Sequence, residues 1–188
     1  MAVYHVKKQI RIRIFLLMLL VLIILSFGCS QDHFKDGMYT NKKYGFSLII
    51  PDNWRAVSEE EAIQCHSLRS LSGLDNRLFI TPSDPDDTSM IVSVLSITEE
   101  QFNAVPWSQF TRTLRSMGNM VIEDDTLENI GGFDVHWVSG NSPQHHNGIA
   151  LFISHGKVVQ IFYWIQKPVE EEIMIDIESI VLSLQKIS

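Results

Sequence analysis

The chain has 188 residues, of which 45% are hydrophobic and 20% are charged, and its formal net charge at pH 7 is −7. Four of its 15 basic residues lie in the first 13 positions and none of its 22 acidic residues does, so the remainder has 11 basic and 22 acidic side chains and a net charge of −11. Such an anionic domain lacks the basic patch that a nucleic-acid binder needs, which excludes nucleic acid as an expected partner.

The N-terminus joins a basic segment to an uncharged apolar run at positions 14–27. This run of 14 residues matches the apolar core of an export signal, which has about 7–15 residues, and is shorter than the roughly 20 that a membrane-spanning helix needs. Gly28 and Cys29 follow, a small residue and a thiol that resemble the lipobox of bacterial lipoproteins. The resemblance implies a signal peptide over 1–28, cleavage before Cys29 and acylation of its thiol, so that the lipid anchors the protein to a membrane.

Two alternatives stay open, because Ser26 and Phe27 stand where a lipobox usually has leucine and a small residue. The first is an uncleaved signal anchor, and the second is a cleaved signal that releases a free periplasmic domain. We expect a cell-envelope location that faces the periplasm or the exterior. Ser30 resembles the sorting residue of lipoproteins that reach the Gram-negative outer membrane. The polar stretch 29–37 predicts a tether between the lipid and the domain.

About 160 residues follow Cys29, and this length suits one domain that buries a sizeable core. Cys65 is the only other cysteine in the sequence, so it has no intrachain disulfide partner once Cys29 is acylated. We expect Cys65 to be a small buried apolar residue on a helix face. The fold is therefore expected to be stable without disulfides.

Four apolar segments predict strands in the first half of the domain. Turn-forming residues at 51–53 and 82–87 separate them, because proline lacks the ladder donor and aspartate favours turns. The predicted strands are 38–41, 46–50, 77–81 and 90–97. Ser58 and Glu61 have the spacing of a capping box and start a predicted helix that ends at Gly73. The predicted strand 90–97 places apolar residues on both of its faces, which is typical of a strand covered on both sides.

The second half predicts a helix, two hairpins and a final helix. Pro106 begins the first helix, an aromatic stripe from Trp107 continues it, and Gly118 provides its stop. The hairpins turn at 128–132 and 155–156. Their predicted strands are 121–127, 133–138, 149–154 and 157–165. An acidic triplet opens the final helix. Amphipathic helices and antiparallel strands predict an α+β fold, a mainly antiparallel sheet sandwiched between helices.

Residues 44–47, Tyr-Gly-Phe-Ser, together with Pro51 and Trp54, resemble the opening of PsbP-like domains. The hairpin at 130–133 and the amphipathic C-terminal helix fit the same pattern. The resemblance implies an α/β/α sandwich over 38–188. It also implies kinship with extrinsic photosystem subunits, a Ran-binding protein and many bacterial lipoproteins, which are mostly non-enzymatic binders or assembly factors. No particular binding residue follows from it.

The loop predicted at 139–148 has the most unusual polar sequence in the domain. His145 and His146 are adjacent, so their side chains diverge in an extended segment, and a metal site would also need His136, His155 or a carboxylate. No histidine pair has a metal-ligand spacing. We therefore expect exposed loop histidines, no bound metal and no cofactor.

A serine hydrolase would combine Ser142 or Ser139 with His145 and Asp134. No serine in the sequence has the G-x-S-x-G frame of a nucleophile elbow. The chain is therefore not predicted to be an enzyme.

Two acidic clusters offer carboxylate oxygens, which calcium prefers, but they lack the EF-hand order and are predicted to be solvated surface. They are Asp84, Asp86 and Asp87, and Glu123, Asp124 and Asp125. The leading hypothesis is a lipid-anchored cell-envelope protein, a non-catalytic binding or assembly module for a protein or a small ligand. The alternative is a metal-dependent or serine-type envelope hydrolase that uses His145 and His146.

Overall fold

The computed structural model describes residues 33–66, 74–83 and 88–187, which all lie in a unit that spans Asp32–Ser188. The predicted signal peptide, Cys29 and the acidic loop at 84–87 lie outside the described residues, as does the side chain of Cys65. Among the described residues, no helix has both the length and the apolar character needed to cross a membrane.

The described residues form eleven strands and four helices. The strands are β1 His33–Lys35, β2 Met38–Asn41, β3 Phe46–Ile49, β4 Trp54–Val57, β5 Leu74–Pro82, β6 Ser89–Thr98, β7 Val121–Ile130, β8 Phe133–Asn141, β9 His145–Ser154, β10 Lys157–Gln166 and β11 Gln185–Lys186. The helices are α1 Glu59–His66, α2 Glu99–Asn103, α3 Trp107–Gly118 and α4 Glu171–Leu182.

The strands form two antiparallel sheets. The large sheet has seven strands in the order β4-β5-β6-β10-β9-β8-β7, and the small sheet has four in the order β1-β2-β3-β11. The long hairpins β7–β8 and β9–β10 pair along their full length. The predicted antiparallel pairing is therefore confirmed, although the sequence did not indicate that the N-terminal strands form a sheet of their own.

Both faces of the large sheet are covered. On one face the small sheet and α4 bury the main core, in which Phe46, Phe152 and Ile177 are fully enclosed. On the other face Ala62 of α1 packs near one end of the sheet, while α2 and α3 pack near the other through residues such as Trp107. The predicted α+β sandwich is confirmed, with a second sheet sharing one of the outer layers.

Strand β6 shows how the sequence encodes this burial. Val92 and Val94 belong to the core beneath the small sheet, whereas Ile91 and Leu95 face the helices on the opposite side. Successive side chains of a strand point to opposite faces, so a strand covered on both sides needs apolar residues at nearly every position.

The ordered strands begin earlier than expected. Strand β1 lies within the stretch 29–37 that was assigned to the tether, and it pairs with β2 across a turn at Asp36 and Gly37, whose φ angles are 51° and 73°. Asp-Gly is a favoured pair for a turn with two positive φ angles, which explains the hairpin. The strand is only three residues long, too short to show a periodicity in the sequence.

Two helix features also differ from expectation. The short helix α2 was not predicted, although Thr98 and Gln101 form a complete capping box at its start. Gly118 is the last residue of helix α3, and the residue that ends the helix is Asn119, which takes the left-handed conformation with φ 49°. Asparagine tolerates that conformation better than most residues, so it can end a helix in place of glycine.

The turn between β7 and β8 consists of Gly131 and Gly132, with φ angles of 58° and 89°. The carbonyl of Gly131 accepts a 3.0 Å hydrogen bond from the amide of Lys186 in β11. A Cβ atom on Gly131 would collide with the backbone carbonyl of Leu184, whereas a Cβ on Gly132 would lie 3.8 Å from the nearest atom, in Lys186. The tip of the hairpin is thus a docking point for the C-terminal strand.

We expect Gly131→Ala to lower the free energy of unfolding by about 2–4 kcal/mol, because it adds a backbone clash to the strain of positive φ. Gly132→Ala, the matched control, has the strain of positive φ without the backbone clash, and it should lower the free energy of unfolding by about 1 kcal/mol. Equilibrium urea unfolding of the two variants measures the difference. Equal losses would contradict the docking role of Gly131.

Candidate functional site

A pocket of about 360 Å³ lies between α4 and the β7–β10 half of the large sheet, near the lower end of the roughly 300–1,000 Å³ typical of small-molecule sites. The sheet contributes Asp124, Thr126, Glu128, Trp137, Ser139, His146 and Tyr163 to its walls. The helix contributes Met174, Glu178 and Leu182. These three residues are spaced four apart, so they form one stripe along α4.

The adjacent side of α4 fixes the direction of this stripe. Ile177, Ile180 and Val181 are fully buried in the main core. Midway along the helix, Asp176 accepts a 2.9 Å hydrogen bond from the indole of Trp54. Just after its end, the hydroxyl of Ser183 accepts a 2.8 Å bond from an amide of β3. Helix α4 is therefore held at its middle and at its C-terminal end, and the pocket wall is held with it.

The floor of the pocket contains a row of residues across three strands. Ser139 in β8 pairs with Gly148 in β9, and Gly148 pairs with Tyr163 in β10. A Cβ atom on Gly148 would overlap the ring and hydroxyl of Tyr163. Because glycine leaves that space empty, the tyrosine ring can lie across the neighbouring strand.

A β-bulge in the edge strand β7 brings two consecutive carboxylates to the pocket. The register shifts between Ile122 and Asp124, so Glu123 is the extra residue. Asp124 accepts a 3.3 Å hydrogen bond from the hydroxyl of Ser139, and a carboxylate oxygen of Glu123 lies 3.9 Å from Nδ1 of His146. A bulge changes the alternation of side chains, which explains why neighbours in sequence reach the same side.

The rim of the pocket is acidic. Asp124, Glu128 and Glu178 line it and are all exposed, and no lysine or arginine is among the lining residues. Within the part of the chain that the structure describes, none of the three forms an ion pair. Lys167 is close enough to influence His146, but its ammonium donates a 3.0 Å hydrogen bond to the carbonyl of Ser142.

His146 lies at the floor and is only 8% exposed. Burial lowers the pKa of His146 below the usual 6.5. The negative charges of Glu123 and Asp124 partly oppose this decrease, and the positive charge of Lys167 adds to it. The imidazole is therefore neutral at pH 7. Its Nδ1 faces acceptor oxygens, at 3.4 Å in Asn141 and 3.9 Å in Glu123, which favours a proton on Nδ1 and leaves Nε2 as an acceptor. Nε2 is buried and has no hydrogen-bond partner among the described residues.

Tyr163 is the second buried polar group of the floor. Its ring stacks against that of His146 with centroids 6.2 Å apart. Burial raises its pKa to about 12, and the nearby Trp137 and Ser139 only partly oppose this. The hydroxyl therefore stays protonated at pH 7. Neither neighbour gives it a hydrogen bond of normal geometry, and it has no partner among the described residues.

The predicted loop at 139–148 is mostly strand. Strand β8 continues to Asn141 and β9 begins at His145, so only 142–144 connect them. The expectation of exposed loop histidines is therefore wrong, because both lie in β9, where His146 is buried and His145 is half-buried. Glycine, serine and asparagine are poor strand formers, and this masked the strand in the sequence.

The four histidines considered for a metal site do not converge. His145 and His146 are neighbours in a strand, so they point to opposite faces. His136 stacks on Trp107 at 4.2 Å on the helix-covered face, and His155 contacts the carbonyl of Lys43 at 3.0 Å. No group of three or more metal-ligating side chains occurs among the described residues.

The serine hydrolase arrangement is not assembled either. The hydroxyl of Ser142 donates to the backbone carbonyl of His145 and accepts from the backbone amide of His145. Ser142 therefore stabilises the turn, and its hydroxyl is not bonded to the His145 imidazole. Asp134 accepts from Asn129 near the other end of β8, about 17 Å along the strand from Ser139. Ser139 itself donates to Asp124.

The described acidic cluster divides between the two faces of the sheet. Asp124 contacts Ser139 in the pocket, whereas Asp125 accepts a 2.8 Å hydrogen bond from the indole of Trp107 in α3. This split separates oxygens that a calcium ion would need together.

Sequence reasoning missed seven of the ten lining residues, and the four that matter most to the site are Tyr163, Trp137, Met174 and Glu178. Each belongs to a segment that was correctly predicted as strand or helix and was regarded only as packing. One signal was present, because Glu178 lies between Met174 and Leu182 in a stripe whose three members are spaced four residues apart. A carboxylate within an otherwise apolar stripe indicates a helix face that is not fully packed.

We expect Tyr163→Phe to raise the free energy of unfolding by about 1 kcal/mol, because it removes a buried hydroxyl without a partner. Tyr39→Phe is the matched control. The hydroxyl of Tyr39 accepts a 3.0 Å bond from the buried side chain of Asn41, so its removal should lower stability by about 1–2 kcal/mol. Urea unfolding compares the two, and a loss in both variants would mean that the Tyr163 hydroxyl is satisfied.

The lowered pKa of His146 predicts a pH dependence of stability. In the unfolded chain the imidazole of His146 binds a proton near pH 6.5, whereas in the folded chain it binds one only at lower pH. The free energy of unfolding therefore has its full value above pH 6.5 and falls as the pH decreases. His146→Gln should flatten this decrease. His136, whose pKa burial also lowers, lies on the other face of the sheet, so His136→Gln should flatten it independently. Unfolding measured between pH 7.5 and 5 tests this, and an unchanged slope in His146→Gln would refute it.

No protein-family model matches this sequence, and no curated protein sequence matches it. Among solved structures, the chain is similar to cyanobacterial PsbP (CyanoP) from Synechocystis sp. PCC 6803, with a TM-score of 0.57 and 11% identity over 85% of this chain and 98% of that one. It is also similar to LpqN of Mycobacterium tuberculosis, described as involved in cell envelope biogenesis, with a TM-score of 0.50 and 16% identity over 76% of this chain and 83% of that one. At these identities the likeness concerns the fold alone, and the fold of the described residues is PsbP-like.

Proposed function

We propose that this chain is a non-catalytic binding module of the cell envelope, anchored through acylated Cys29, that holds a small ligand in the pocket beneath α4. One observation carries the proposal. Four buried side-chain polar atoms lack a partner among the described residues, and two of them belong to the pocket floor: the hydroxyl of Tyr163 and Nε2 of His146. The other two are the hydroxyls of Ser89 and Ser93 in β6, outside the pocket. Orphan polar groups are uncommon in folded proteins, and a ligand that satisfies them accounts for their presence.

The hydrogen bonds around the pocket support binding over group transfer. A serine-type hydrolase needs an imidazole within reach of its nucleophilic hydroxyl, but the hydroxyl of Ser139 donates to Asp124 and not to His146. His146 directs Nδ1 towards Asn141. Among the described residues, the side chains at His145 and His146 give no support to the alternative of a metal-dependent or serine-type hydrolase.

The sequence before the domain supports the anchor. Three residues separate Cys29 from the first residue of β1, and a chain of that length spans at most about 14 Å. A lipid on Cys29 would therefore hold the domain next to the membrane surface. The shared fold of LpqN, described as involved in cell envelope biogenesis, agrees with an envelope location.

We expect a clickable fatty-acid analogue fed to producing cells to label the wild-type protein and not Cys29→Ala, because only that thiol stands at the lipobox-like position. Cys65→Ala, the matched control, should be labelled as strongly as the wild type. In-gel fluorescence of the purified proteins gives the result. Labelling of Cys29→Ala, or none of the wild type, would remove the lipid anchor from the proposal while leaving the pocket to be tested separately.

A further inference from the structure

We infer that the pocket beneath α4 binds a small protonated primary amine that carries an apolar group. The inference rests on the proposed function and adds the chemical class of the ligand. Three properties of the pocket lead to it: the charge of its rim, the hydrogen-bonding character of its floor, and the apolar surface between them.

The charge of the rim favours a cation. Asp124, Glu128 and Glu178 line the pocket and are exposed, and no lysine or arginine lines it. A concave site lined by charges of one sign concentrates ligands of the opposite sign. The same carboxylates oppose the entry of an anion. Exposed carboxylates alone are common on anionic proteins, so the rim gives the sign of the charge and the floor must give the site.

The floor needs hydrogen-bond donors. Nε2 of His146 is an acceptor without a partner, and the hydroxyl of Tyr163 is also unpartnered. The hydroxyl of Ser139 donates its proton to Asp124, so it can only accept a further hydrogen bond. A primary ammonium group brings three N–H donors and no acceptor, which complements such a floor. A quaternary ammonium brings the charge without any donor, and an alcohol brings one donor without the charge.

The remaining wall accommodates an apolar group. Met174 and Leu182 contribute hydrocarbon from α4, and Trp137 contributes an indole from β8. A cation near the face of an indole gains additional attraction. Methionine is unbranched and adapts its shape, so Met174 can move as a ligand approaches the buried atoms. The volume of about 360 Å³ limits the ligand to a small molecule.

Four probes that share a phenylethyl group separate these contributions: 2-phenylethylamine, its trimethylammonium analogue, 2-phenylethanol and 3-phenylpropionate. Their affinities for the full-length protein in a non-ionic detergent are measured by isothermal titration calorimetry at pH 7. The amine should bind about tenfold or more tighter than the alcohol and the quaternary analogue, because hydrogen bonds to charged groups are the strong ones. The anion should not bind. Raising the salt concentration should weaken binding of the amine.

Variants connect the binding to the pocket. Glu178→Gln removes a rim charge and should weaken amine binding about tenfold. Glu172→Gln, the matched control, lies on the same helix but outside the pocket, and it should bind like the wild type. Tyr163→Phe should also weaken binding. Thermal unfolding of each variant confirms that it is folded.

The outcomes distinguish the inference from the function on which it rests. If the alcohol or the anion binds as tightly as the amine, and Tyr163→Phe weakens that binding, the pocket is a binding site and the choice of an amine is wrong. If none of the four probes binds to the wild type, the amine inference fails. If amine binding is the same in Glu178→Gln and Glu172→Gln, the amine lies elsewhere and the inference also fails.

Discussion

The packing of α4 against the large sheet is the contact on which the rest of this structure depends. Ile177, Ile180 and Val181 are fully buried, and burying side chains of this size stabilises a fold by about 1.5–3 kcal/mol each. Because these residues occupy one side of the helix, the adjacent side must lie over β7–β10. The stripe that lines the pocket is therefore oriented by the same contact that closes the main core.

The polar floor of the pocket has a cost to folding, which among the described residues it shares only with the buried, unpartnered hydroxyls of Ser89 and Ser93 in β6. Tyr163 and His146 bury atoms without partners, whereas the equally buried Tyr39 and Asn41 satisfy each other. In natural proteins, buried polar atoms without a hydrogen-bond partner occur mainly at functional sites. The contrast between these two tyrosines within one core is the main reason to regard the pocket as functional rather than as a packing defect.

Most of the fold was predictable because its elements follow local patterns. The alternation in β6, the two long hairpins and the stripe of α3 all agree with the structure to within a few residues. The errors have physical causes: β1 is too short to show a period, and the strands on either side of 142–144 contain glycine and asparagine. The pocket was not predictable in the same way. It requires Gly148 opposite Tyr163 and a bulge at Glu123, and cross-strand register is a tertiary property.

The bulged strand β7 is also an edge of the large sheet, with ten residues and backbone groups open on one side. An open edge of that length invites pairing with the edge of another copy. Its acidic side chains, including Glu123, Asp125 and Glu128, oppose such pairing because two copies would bring like charges face to face. The proposed lipid anchor would confine copies of the protein to one plane, where this repulsion would matter most. The strand that shapes the pocket thus also carries charges that disfavour edge-to-edge pairing.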